Sequence, residues 1–143
     1  MTAVEFHFNA ADRLAYVCRL LRKAARQGAG VAVSAPLETL TRLDSLLWTF
    51  DPIEFVPHVR LRGDERVAPR LQATPVWLVE SAEQAAHHPV LVNLGAGAPT
   101  GFESFRRLIE VIGVHDDDRA DGRMRWKHYA SRGYPITGCE VGG

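Results

Sequence analysis

The sequence predicts an α/β domain with a mostly parallel sheet and helices on both faces. Short apolar runs, "VEFHF", "GVAVS", "VWLVE" and "VLVNL", alternate with segments whose apolar residues recur at helical spacing. Several of these runs are apolar almost throughout, as strands covered on both sides are. The chain has 143 residues, 46% hydrophobic and 24% charged, enough for one well-formed core, so residues 1–143 are expected to form a single domain.

In chain order, Val4, Phe6 and Phe8 alternate with Glu5 and His7, the pattern of a strand. Asp12 suits the N-cap of the next segment. There Leu14, Val17, Cys18, Leu21 and Ala25 share one helical face, Arg13, Arg19, Arg22, Lys23 and Arg26 point away, and Gly28 ends the helix. After the "GVAVS" strand, Pro36 fits the first turn of a second helix. Leu37, Leu40, Leu43, Leu46 and Leu47 give it an apolar face, and Asp51-Pro52 stops it. Residues 59–75 are polar and broken by Gly and Pro, reading as a long loop or a short edge hairpin. "VWLVE" and "VLVNL" are the next strands. "GAGAPTG" (95–101) should then lead into a helix carrying Phe102, Phe105, Leu108, Ile109 and Ile112, with a short final strand near 110–115. A last helix spans 122–132, and residues 137–143 are expected to be a flexible tail.

Composition excludes several function classes. Seventeen Lys and Arg balance seventeen Asp and Glu, which argues against a protein that coats nucleic acid with its whole surface. No apolar run approaches the roughly 20 residues that span a bilayer, and the N-terminus carries no signal-peptide pattern, so no membrane partner is expected. Cys18 and Cys139 lie far apart without metal or redox spacing, which points to a reducing cytoplasm.

Catalytic and cofactor motifs fail on inspection. In "GAGAPTG", Thr100 stands where a third glycine would be and Pro99 removes an amide donor, so no working phosphate loop and no cofactor are expected. His7, His58, His87, His88, His115 and His128 show no metal-ligand spacing. Asp116, Asp117 and Asp118 are better explained as the acidic start of a helix than as a cation site. No nucleophile–base arrangement emerges, so no catalytic residues are assigned and the chain is not expected to be an enzyme.

Two stretches remain. In "LLWTFDPIEFVPH" (46–58), Trp48, Phe50, Ile53, Phe55, Val56 and Pro57 crowd between prolines; they either cover the sheet edge or form an exposed patch for a protein partner. In "DGRMRWKHYASRGYPI" (121–136), helical spacing puts Arg123, Trp126, Lys127 and Ala130 on one face, with Arg125, Tyr129 and Arg132 on a neighbouring one. Either the aromatics pack inward and the cations are solvated, or an aromatic shelf between cations receives an acidic peptide end or a stacked base beside a phosphate. The second ligand would make the helix a direct single-stranded nucleic-acid-binding module.

Three blocks of the chain resemble the chi subunit of bacterial DNA polymerase III: "LDSLLWTFDPIEFVPH" (43–58), "FESFRRLIEVI" (102–112) and "RMRWKHYASRGY" (123–134). The initial "VEFHF" fits that family's first strand, and the similarity covers nearly the whole chain in order. The resemblance implies a three-layer Rossmann-like domain without a phosphate loop, acting as a non-catalytic accessory of the clamp-loader assembly in DNA replication. It implies a heterodimer with the psi subunit through Trp48, Phe55 and Pro57, a surface that an XPD-like helicase also uses. It further implies that Ile112, Arg123, Trp126 and Lys127 bind the acidic C-terminal tail of single-stranded DNA-binding protein, so that DNA is reached mainly indirectly. Family members often carry Tyr at the position of Trp126, a departure that keeps the aromatic shelf.

Overall fold

A computed structural model describes residues 1–63 and 65–142. In chain order the elements are β1 (Ala3–Ala10), α1 (Arg13–Arg26), β2 (Val31–Ser34), α2 (Leu37–Thr49), β3 (His58–Arg60), β4 (Val76–Val79), β5 (Val90–Asn93), β6 (Arg107–Gly113), α3 (Asp116–Ser131) and β7 (Ile136–Glu140). Short 3-10 turns lie at Pro69–Leu71, Ala82–Ala85 and Phe102–Ser104. Among the described residues the strands form one sheet in the order β3-β4-β2-β5-β6-β1-β7, with every neighbouring pair parallel. This is a three-layer, Rossmann-like α/β architecture.

Each face of the sheet has its own apolar core. On one face Leu14, Val17, Cys18 and Leu21 of α1 and Leu40, Leu43 and Leu47 of α2 pack on Val33, Leu78, Val92, Ile109 and Val111. On the other, Tyr129 of α3 packs with Phe102 and Phe105 onto Val4, Phe6, Trp77, Leu91, Leu108 and Ile112. Because β2, β4 and β5 are covered on both sides, all their residues are buried, which is why they read as unbroken apolar runs.

The predicted helix signals act largely as expected. Asp12 caps α1, its carboxylate accepting from the Ala15 N–H at 3.0 Å. At the other end the Gly28 N–H donates to Ala25 and the Ala29 N–H to Ala24, a Schellman closure that the φ of +71° at Gly28 permits. Pro36 is the N-cap of α2 rather than part of its first turn, since its ψ of 156° is extended. Leu37 and Leu46 are exposed because only the stripe of Leu40, Leu43 and Leu47 faces the sheet.

Two expectations are corrected and one pair of alternatives is decided. Residues 107–113 are the strand β6, not part of a helix: Leu108, Glu110 and Ile112 face α3 while Ile109 and Val111 face the other core. A strand covered on both sides loses its alternation, so its apolar run mimics a buried helix segment. The proposed tail contains β7, a parallel edge strand on β1 with Val4 opposite Ile136 and Phe8 opposite Glu140. Of the two readings of residues 59–75, the long loop holds and the hairpin does not among the described positions: β3 adds in parallel to β4, and a loop with one 3-10 turn follows. Asp64 of that segment and Gly143 of the tail lie outside the described residues. No helix is long and apolar enough to cross a membrane among the described residues.

His88 marks a weak point in the second core. It is buried beside Trp77, with ring centroids 4.8 Å apart, and neither its Nδ1 nor the Trp77 Nε1 has a hydrogen-bond partner among the described residues. Burial pushes the imidazole down from its ordinary 6.5 to about 4. Between those values the unfolded chain binds the proton and the folded chain does not, so stability falls as pH drops from 6.5 toward 4. Going from pH 7 to pH 5 should cost about 2 kcal/mol through this group. His88→Leu should remove that part of the pH dependence, read from urea midpoints at the two pH values.

Candidate functional site

The last helix separates its residues by face. The sequence "DDD" fills its first turn, where negative charge opposes the positive end of the helix. Gly122, Arg125 and Tyr129 point inward and are buried. A Cβ at Gly122 would lie 2.9 Å from Ile112 Cδ1, so glycine allows α3 to close onto β6. Arg123, Trp126 and Lys127 then emerge together beside β1.

They border a groove of about 630 Å³. Phe6, Phe8 and Ile112 give it an apolar floor, Trp126 forms a wall, and Arg119, Arg123 and Lys127 line it with cations. The Trp126 ring lies 4.9 Å from Phe6 and remains 39% exposed. Among the described residues Arg123 and Lys127 have no carboxylate partner, and Arg119 only donates to Asn9 Oδ1 at 3.2 Å. The geometry thus brings Ile112, Arg123, Trp126 and Lys127 to one concave site. Sequence reasoning missed Arg119, although its i, i+4, i+8 spacing with Arg123 and Lys127 was legible.

A second surface lies at the opposite edge of the sheet, on the opposite face. Where α2 ends, Trp48 is 63% exposed and stacks against Phe55 at 4.8 Å; Phe55, Pro57 and Ile53 are exposed as well. Phe50 and Val56 turn inward instead and pack on the core under α1 and α2. So the stretch both covers the core and exposes an aromatic patch.

The loop between them is fixed. The Asp51 carboxylate accepts from the Ile53 and Glu54 N–H groups at 2.9 and 3.0 Å, which holds its carboxyl below the usual range. Two cations of α1 tie this loop down: Arg22 to Asp51 at 2.9 Å and Arg26 to Glu54. The Arg22 guanidinium also sits over the Phe50 ring, 4.9 Å from its centroid.

The family model described as "DNA polymerase III chi subunit, HolC" matches residues 1–137. The chain belongs to the DNA polymerase III chi subunit family. It is 32% identical to the chi subunit of Pseudomonas aeruginosa over 141 residues, covering 95% of this chain and 94% of that protein. With the chi subunit of Haemophilus influenzae it shares 30% identity over 129 residues, 87% of this chain and 85% of the relative. Chi is an accessory subunit of DNA polymerase III in replication.

In this chi-family fold, α3 is locked in place by a buried polar cluster. Arg125, 6% exposed, donates from Nε to Glu110 Oε1 at 3.0 Å and from Nη1 to the Ala96 carbonyl. The Tyr129 hydroxyl donates to the other Glu110 oxygen at 2.5 Å, and Asn93 donates to Glu110 and to the Gly97 carbonyl. Burial pushes Glu110 up, opposed by Arg125 and by the hydrogen bonds of Tyr129 and Asn93. Of the two alternatives for this helix, Tyr129 is core and Trp126 is surface, whereas Arg125 is neither solvated nor free for a ligand. The cluster also explains the glycine-rich loop: the Ala96 and Gly97 carbonyls are tied inward, and the loop leads into a 3-10 turn rather than a helix N-terminus that could hold phosphate. Among the described residues no group of three or more His, Cys, Asp or Glu could hold a metal ion.

Proposed function

We propose that this chi-family chain is a non-catalytic adaptor with two docking surfaces. The groove of Ile112, Arg123, Trp126 and Lys127 takes the acidic C-terminal tail of single-stranded DNA-binding protein. The patch of Trp48, Phe55 and Pro57 docks the psi subunit of the clamp loader, and an XPD-like helicase competes for it. The protein works as one domain, in the cytoplasm at the replication fork, and meets DNA mainly through the protein that carries the tail.

One observation carries the tail reading: an apolar floor of Phe6, Phe8 and Ile112 beside Trp126, lined by cations that have no acidic partner among the described residues. The end of an acidic tail supplies the complements, an apolar terminal side chain for the floor and a free carboxylate for Arg123 or Lys127. Arg119 extends the same row of positive charge toward upstream acids.

Fluorescence anisotropy with a labelled peptide of that tail tests the reading. Trp126→Ala should weaken binding about 30-fold and Lys127→Ala about fivefold, as expected for a central aromatic and a more exposed cation. Amidating the peptide's C-terminus should cost as much as losing the cation. Affinity should fall with added salt, but by less than for purely surface charges. Equal binding by the wild type and both variants would remove the assignment. Tight binding of bare oligonucleotide with a steep salt slope would favour direct nucleic-acid binding by α3 instead.

A further inference from the structure

The aromatic pair at Trp48 and Phe55 is exposed, but the ring it rests on is not. The His58 side chain is 1% exposed, and its ring centre lies 5.5 Å from that of Trp48 and 5.7 Å from that of Phe55. Its Nδ1 contacts the Val56 carbonyl at 2.9 Å, and its Nε2 contacts Asp44 Oδ1 at 2.7 Å. A backbone carbonyl and a carboxylate only accept, so the ring nitrogen that carries the hydrogen donates to the acceptor beside it. Asp44 stands on α2 one turn before Trp48, Val56 follows Phe55 in the loop, and His58 opens β3. One imidazole therefore joins three separate pieces of chain directly under the exposed rings.

We propose that Asp44 and His58 are positioning residues for the docking face. They hold Trp48 and Phe55 in a single arrangement before any partner arrives. This inference rests on the docking role read above for Trp48 and Phe55. Two large rings free to rotate would lose side-chain entropy and have to be reoriented on association; rings already braced from beneath avoid most of that cost. The Val56 and Leu47 side chains are buried beside the site and anchor the loop and helix by apolar packing. The Asp44–His58 bond is therefore not needed to attach these segments to the core, but it does fix the geometry of the rings above it.

The test is calorimetric titration of the intact chain with purified psi subunit, alongside titration with the acidic tail peptide that reports on the distant groove. His58→Leu and Asp44→Ala should weaken psi binding about tenfold and leave peptide affinity unchanged. Asp44→Asn, whose amide oxygen can still accept from Nε2, should recover to within about threefold of the wild type. In the free protein, the Trp48 signal of fluorotryptophan-labelled His58→Leu should shift toward that of an exposed indole, while those of Trp77 and Trp126 stay in place. If Asp44→Ala and His58→Leu bind psi like the wild type while Trp48→Ala does not, the positioning role is wrong. If Trp48→Ala also binds like the wild type, the docking face is misassigned and the inference falls with it. A parallel loss of peptide affinity would make the effect a general disturbance of the fold and would equally overturn it.

Discussion

Arg125→Met should destabilise the fold by about 3–5 kcal/mol, the cost of removing one partner from a buried ion pair. For a chain of this size that corresponds to a drop in Tm on the order of 10–20 °C. The substitution leaves Glu110 fully buried without its compensating charge and leaves the Ala96 carbonyl without its donor. The carboxyl then takes up a proton in the folded state. The folded variant would bind more protons than its unfolded chain above the ordinary carboxylate pKa, so its stability should fall as pH rises from 5 to 7. Replacing both residues, in Glu110→Met with Arg125→Met, should recover much of the loss, because a well-packed apolar pair carries no desolvation cost. Thermal unfolding of the two variants at both pH values decides the matter. A single variant melting within a few degrees of the wild type would show that the cluster contributes little.

The second large effect is expected in binding. Trp48→Ala and Phe55→Ala should each weaken the psi complex by about 2 kcal/mol or more, roughly 30-fold, while Pro57→Ala should cost less. Trp48 and Phe55 form one contiguous aromatic surface, so removing either exposes part of the other, and the double variant should fall short of the sum of the singles. Co-purification of tagged chain with psi provides a coarse readout and calorimetry the quantitative one. Full retention of psi by the double variant would place the docking face elsewhere. The Tm of each single variant should barely move, because the rings are mostly exposed and anchored from below.

The parts of the fold that were legible in the sequence are those whose physics is local. Asp12 and Gly28 act through the backbone of their immediate neighbours, so the ends of α1 could be read directly. The "VWLVE" and "VLVNL" runs are too short for helices and bounded by turn formers, which left only strands. The stretch at 107–113 was ambiguous because both of its faces are buried. Its one distinguishing signal is Glu110: at period two it shares a side with Leu108 and Ile112, a core position at which an acid requires a partner. Reading it that way would have pointed to Arg125 and Tyr129 as inward residues of α3. β7 left almost no pattern, since only Ile136 is partly covered and the strand is held by main-chain bonds to β1. Of the candidate site, Arg123, Trp126 and Lys127 were legible from helical spacing, while the floor of Phe6 and Phe8 required knowing that β1 lies beside α3.

The two surfaces lie near opposite edges of one continuous sheet. Five strand spacings of about 4.8 Å separate β3 from β1, which puts them on the order of 24 Å apart. If they dock psi and the acidic tail as proposed, the two ligands meet no common residue, and a ternary assembly is expected to form in either order. With no shared residues, losses at one edge should leave affinity at the other intact. On that proposal the parallel sheet acts as a spacer: anchoring one edge to a large complex would confine the other and raise the local concentration of grooves wherever that complex works. A modest affinity for the peptide would suffice under such tethering, and it would also permit rapid exchange between neighbouring tails.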